Sequence, residues 1–120
     1  MTTTRKLKRI KTLTIKRSKW GRGKTGGALL DKDTGLQCCL GFAALASGVG
    51  ADDIAGLCYP RDVARRIPLF NKHGRFGLCD TKLSSAAINV NDDEDLKDAQ
   101  REAALRKLFA SNGVRVRFVP

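Results

Sequence analysis

The chain has 120 residues and a mass of 13.1 kDa, the size of one ordinary domain. Its 42% apolar and 29% charged residues describe a globular chain rather than a disordered one, and no run nears the roughly 18 apolar residues of a membrane helix. The net charge of +11 is concentrated at one end: residues 1–24 hold ten basic groups and no acid, and the remainder is nearly neutral. Such a segment attracts polyanions by counterion release and small anions by Coulomb attraction. No apolar core of a secretory signal is visible near the start, so a cytoplasmic protein with reduced thiols and no membrane partner is expected.

Residues 1–9 read as a disordered basic start. From Thr12 to Lys16, Leu13 and Ile15 alternate with Thr12, Thr14 and Lys16, and a period of two predicts a short strand. Residues 1–19 are therefore expected as a basic arm, partly disordered with one short strand, ahead of a single domain over 20–120. Trp20 to Gly27 is a glycine-rich loop. Ala28-Leu29-Leu30, the turn-forming Asp31 to Gly35, and Leu36 to Cys39 predict strand, turn and strand.

The small apolar run after Cys38 predicts a buried helix closed by Gly48. Asp52 to Ala55 adds one more turn. Pro60 to Ile67 suits a short helix with proline at its first position. Phe76 to Cys79 reads as a short strand and Leu83 to Ile88 as a short helix. The last helix lies within Asp95 to Asn112, with Leu105, Leu108 and Phe109 on one face and Gly113 as its stop. Leu96, Ala99 and Ala103 fall on another face, so either Leu96 precedes the helix or the helix is buried on two sides. The acidic run Asp92 to Asp95 favours its N-terminal end. Val114, Val116 and Phe118 then alternate with Arg115 and Arg117, a half-buried strand. The expected fold is α+β: a small, mostly antiparallel sheet with helices packed on one side.

Several constellations carry chemistry. Cys38 and Cys39 sit where a strand meets a helix, with His73 and Asp80 downstream, the order of a papain-like cysteine hydrolase. His73 is the only histidine, and the apolar neighbours Leu40 and Phe42 make at least one cysteine a core residue. Cys38 or Cys39 with Cys58, Cys79 and His73 would make a Cys₃His set, but no spacing matches a zinc motif and no metal is expected. Ser18 to Thr25 is a near miss of the phosphate-binding loop, with Ser18 in place of the first glycine and no helix after it. A milder anion cradle remains: the backbone of this loop with Arg22 and Lys24, and Trp20 for stacking on a base. Arg61, Arg65 and Arg66 form a second basic cluster for such a ligand. A nucleic-acid backbone would instead meet the arm, at Arg5, Lys6, Lys8, Arg9, Lys11, Lys16, Arg17 and Lys19.

The runs Trp20-x-Arg22-Gly23, Ala28-Leu29-Leu30-Asp31 and Cys38-Cys39-Leu40-Gly41-Phe42 carry a family resemblance. Leu83-Ser84, Ile88, Asn91-Asp92, Gln100-Arg101-Glu102-Ala103, Leu108-Phe109 and Gly113 extend it across nearly the whole domain. Together they resemble small proteins encoded by tailed phages and prophages. That family has no settled activity, so the resemblance transfers no catalytic or binding residue, and residues 1–19 lie mostly outside it. It implies a phage origin and action in the cytoplasm of the bacterial host. Small accessory phage proteins look like inhibitors of host defence. The expectation is therefore a non-enzymatic protein without cofactor that binds an anionic nucleotide-type immune signal or a nucleic-acid-binding defence complex. A ligand buried between protomers would leave a homo-oligomer open. The alternatives are a nucleic-acid-binding accessory protein acting through the arm, and the cysteine hydrolase.

Overall fold

The alternation at Leu13 and Ile15 forms the strand it predicts. In the computed structural model, which describes residues 10–25, 27–56, 81–111 and 113–120, β1 spans Thr12–Lys16 with both apolar side chains buried. The C-terminal alternation forms β2, Arg115–Val119, with Val116 buried and Phe118 half-buried. The two pair in parallel, from Thr12 opposite Arg115 to Lys16 opposite Val119. This corrects the mostly antiparallel sheet. Among the described residues the sheet has two strands, and they run the same way. Antiparallel neighbours need only a tight hairpin, whereas a parallel pair needs a long crossover. Here nearly the whole chain is that crossover, and it carries every described helix.

Ile10, Leu13 and Ile15 join the same core cluster as Trp20, Leu40, Leu105 and Phe109. From residue 10 onward the basic segment is thus part of the packed structure. The predicted strand–turn–strand over 28–39 keeps its turn and loses its strands. The Asp31 carboxylate accepts N–H bonds from Asp33 and Thr34 at 2.8 and 3.1 Å. The arms exchange only the bonds Asp31 N–H to Leu36 O and Cys38 N–H to Ala28 O. Each arm then bridges elsewhere, Leu30 to Ala55 and Gln37 to Trp20. Arms of three and four residues lie at the short end of strand lengths, and here they form no ladder of their own.

Helix α1, Cys39–Ala46, is apolar on all sides and correspondingly buried. Gly48, at φ +106°, ends it: the N–H groups of Gly48 and Val49 reach back to Leu45 O and Ala44 O. Helix α2 is the single turn Ala51–Ile54. Helix α3, Thr81–Asp92, is longer than the segment predicted from Leu83 to Ile88. Helix α4, Asp98–Ala110, buries Leu105 and Phe109. Leu96 precedes it, which settles the two-face alternative. The acidic run also lies before it. Asp92 ends α3, and Asp93 Oδ1 accepts the Asp95 N–H in the connecting turn, so Asp98 alone brings an acid to the first turn of α4. The helix predicted at Pro60 to Ile67 and the strand at Phe76 to Cys79 lie outside the described residues.

Helix α1 packs on β1, α3 on α1, and α4 on α3 and β2. The inward residues of the sheet are covered, while Thr12, Thr14, Lys16, Arg115 and Arg117 stay exposed on the other face. The closest approach is at Gly41, where a Cβ would stand 1.8 Å from the Leu29 carbonyl oxygen. A backbone atom cannot swing away as a side-chain tip can. Gly41→Ala is expected to lower stability by about 1–3 kcal/mol or more, seen as a drop of several degrees in thermal unfolding. An unchanged midpoint would contradict this packing.

Candidate functional site

The loop after β1 is fastened by one buried side chain. Asn91, in the last turn of α3, is completely buried. Its Oδ1 accepts the Trp20 indole N–H at 2.8 Å and the Cys39 backbone N–H at 3.1 Å. Its Nδ2 donates to Gly21 O at 2.9 Å and to Asp92 Oδ1 at 2.8 Å. All the hydrogen-bonding capacity of the amide is used. The same oxygen also satisfies an N–H at the start of α1, where Cys38 offers no side-chain cap.

This arrangement decides what the 20–24 loop can do. Trp20 is 2% exposed and packs against Phe118, with ring centroids 5.0 Å apart. Its ring is a core group in this structure, whereas the sequence suggested it for stacking on a base. Arg22 lies over the indole at 4.5 Å. Its Nε and Nη2 donate to the two oxygens of Asp98 at 3.1 and 3.0 Å, and its Nη1 donates to Trp20 O and Arg17 O. The expected phosphate contact is thus already committed to protein groups. Lys24 is exposed on the short 3₁₀ turn Gly23–Thr25. Arg61, Arg65 and Arg66 lie outside the described residues.

Two further arginines tie the sheet to α4 and α3 to α4. Arg17 grips Glu102 as a fork, with both N–O distances 2.8 Å. The hydrogen bond from Arg17 holds the Glu102 carboxyl below its ordinary value, and the Arg17 guanidinium is raised in turn. Arg101 is almost wholly buried and closes the α3–α4 turn, donating to Asp93 O, Leu96 O, Val90 O and Asp98 Oδ1. The hydrogen bond from Arg22 is the main cause of the lowered Asp98 carboxyl.

Some of the outward cations gather beside β2. Lys11, Arg106, Arg115, Arg117 and Phe118 line a hollow of about 640 Å³ that also runs along the backbone from Gly113, and no acid lines it. Arg106 spans the Phe118 ring and reaches Glu102 at 3.6 Å. Lys11, Arg115 and Arg117 make no ion pair among the described residues. Of the residues predicted for nucleic acid, Lys11, Lys16 and Lys19 are exposed, Arg17 is held by Glu102, and Arg5, Lys6, Lys8 and Arg9 lie outside the described residues.

The cysteine constellation fares differently. Cys38 and Cys39 are 5% and 0% exposed. Burial pushes the Cys38 thiol up to about 11, and burial with the neighbouring Cys38 raises Cys39 well above its ordinary value. An activated thiol needs a lowered pKa, and burial works against that at both cysteines. His73, Asp80, Cys58 and Cys79 lie outside the described residues. Among the described residues no three histidine, cysteine or acidic side chains group as metal ligands. No helix among them is long and apolar enough to cross a membrane. No family model matches the chain, and neither a curated protein nor a solved structure does.

Asn91, Arg101 and Glu102 fall within the runs of the family resemblance, but those runs assign them no structural role. Asn91 sits in a polar stretch, and its burial depends on Trp20 and Cys39, far away in sequence. Arg115 and Arg117 had a signal, since alternation with Val114 and Val116 turns them outward, but nothing local brings Lys11 and Arg106 beside them.

Asn91→Ala would leave buried partners of Trp20, Gly21 and Cys39 unsatisfied, at about 1–3 kcal/mol for each orphaned group. We expect a loss of roughly 3 kcal/mol or more in denaturant unfolding; a loss below about 1 kcal/mol would show the hub to be dispensable. The Glu102 pair sets a pH dependence. A carboxyl held below its ordinary 4.5 stabilises the fold above that pH, and the contribution disappears as pH falls through the lower folded value. Glu102→Gln should therefore flatten the acid limb of stability against pH. An acid limb of unchanged slope in that variant would contradict the pairing.

Proposed function

We propose that this chain is a non-enzymatic binding protein that engages an anionic target through the hollow beside β2. The observation that carries this reading is the convergence of Lys11, Arg106, Arg115 and Arg117 on one concave surface without an acid. Arg106 has Glu102 at 3.6 Å, but Lys11, Arg115 and Arg117 meet no acid among the described residues, so the arrangement favours a negatively charged occupant. A hollow of about 640 Å³ also falls within the usual range of ligand sites. The resemblance to tailed-phage and prophage proteins supplies the setting: action in the bacterial cytoplasm, against host antiviral defence. The target is then a nucleotide-type immune signal or an anionic surface of a defence protein. The contact surface differs from the one expected of the sequence. Trp20 and Arg22 stabilise the loop, and the anion meets the strand.

A second reading, a nucleic-acid-binding accessory protein, draws on the exposure of Lys11 and Lys16 next to the basic residues 1–9. A truncation that tests it must stop at residue 9, because Leu13, Ile15 and Trp20 are core. If the arm carries binding, removing 1–9 lowers affinity for duplex DNA and shallows its salt dependence.

The main test pairs a charge reversal at the strand with a truncation at the loop. Arg115→Glu with Arg117→Glu should weaken binding of inorganic triphosphate at least tenfold in titration calorimetry while leaving the melting temperature near that of the parent. Arg22→Ala should lower the melting temperature and leave the affinity of the folded protein largely intact. The reverse pattern would return the site to the 20–24 loop.

A further inference from the structure

β2 lines the hollow, and among the described residues its edge away from β1 meets no partner strand. Arg115 donates its backbone N–H to Lys11 O at 2.9 Å. In a parallel ladder, alternate residues turn both backbone groups to the same neighbour, so Arg115, Arg117 and Val119 face β1. Val116 and Phe118 therefore turn their N–H and C=O groups to the other edge, and no described residue pairs with that edge. On the far side of the hollow stand Arg106 and Ala110 of α4. Two kinds of recognition are thus laid along one line: a row of backbone donors and acceptors, and a set of cations.

We propose that the edge of β2 takes an extended, acidic polypeptide segment of a partner protein as a third strand. This rests on the hollow being the anion-binding surface, and it names the partner chemistry. A phosphate or a nucleic-acid backbone satisfies the cations but brings no donors for the carbonyl groups of Val116 and Phe118. A polypeptide strand brings donor and acceptor together at each second residue, as in strand addition to an open sheet edge. Its side chains alternate, so acids at every second position would face Arg115 and Arg117 while the others turn towards Ala110 and Phe118. The five residues of β2 span about 17 Å, which matches a segment of about five to seven residues. A second copy of this chain is a poor occupant of the edge, since it would bring another Arg115 and Arg117 against the first pair.

The test uses the full chain and blocked seven-residue peptides that alternate glutamate with valine. One is unmodified, one has lysine for glutamate, and two are N-methylated on alternate residues, one on each register. Inorganic triphosphate serves as the anion without a backbone. We expect the unmodified peptide to bind in the micromolar range and the lysine peptide at least tenfold more weakly. One methylated register should bind at least tenfold more weakly and the other like the parent, because only one set of N–H groups faces β2. If both methylated peptides bind like the parent, attraction is purely electrostatic and strand addition is wrong. If triphosphate or duplex DNA binds and no peptide does, the anion-binding surface stands and the polypeptide partner is wrong. If no anion binds, both proposals fall together. Arg115→Glu with Arg117→Glu, checked for an unchanged melting temperature, should invert the preference in favour of the lysine peptide; an unchanged preference would overturn the proposal.

Discussion

A buried amide sets the geometry of this protein. Asn91 sits where three segments meet, the loop at Trp20 and Gly21, the start of α1 at Cys39, and the end of α3, and it hydrogen-bonds to all three. In a low-dielectric interior a polar group with every partner in place is strongly directional, and one with a partner missing is costly. Leu40, Ala43, Leu105 and Phe109 supply apolar area without much preference for register. Asn91 supplies the register. Its position in turn fixes the indole of Trp20, which seats Phe118 and with it the end of β2.

The arginine ties follow from the same arrangement. Arg17 and Arg22 leave β1 and its loop and meet Glu102 and Asp98, two acids one turn apart on α4. Arg101, between them in sequence, faces inward and closes the turn ahead of α4. These contacts divide the basic segment into two populations. Arg17 and Arg22 are consumed by the fold, and their charges are neutralised in place. Lys11 and Lys16, with Arg115 and Arg117 from the far end of the chain, remain outward on the uncovered face and edge of the sheet. A basic residue in the segment is thus not by itself a free binding group: Arg17 and Arg22 are tied to acids.

Periodicity made the local elements legible. Alternation gave both strands, and the small apolar run ending at Gly48 gave α1, down to its glycine stop. Leu105, Leu108 and Phe109 marked the buried side of α4. Pairing was not legible, because β1 and β2 lie at opposite ends of the chain and nothing in either encodes which neighbour it meets or in which direction. The structural part of two loop residues was not legible for a related reason. Trp20 and Arg22 have the chemistry of an anion site, but indole and guanidinium groups serve equally as core and tie, and their bonds to the distant Asn91 and Asp98 cannot be read locally. The cysteines show the same limit: a thiol at the start of a helix is activated when exposed and inert when buried, and the adjacent residues do not report depth.

The central claim is that anions meet β2 and not the 20–24 loop. Side-chain resonances of the arginine guanidinium groups and the Trp20 indole, followed by NMR during titration with inorganic triphosphate, test it most directly. The account predicts that the signals of Arg115, Arg117 and Arg106 move with the titration while the Trp20 indole N–H and Arg22 remain in place. Shifts led by Trp20 and Arg22, with Arg115 and Arg117 unmoved, would contradict it.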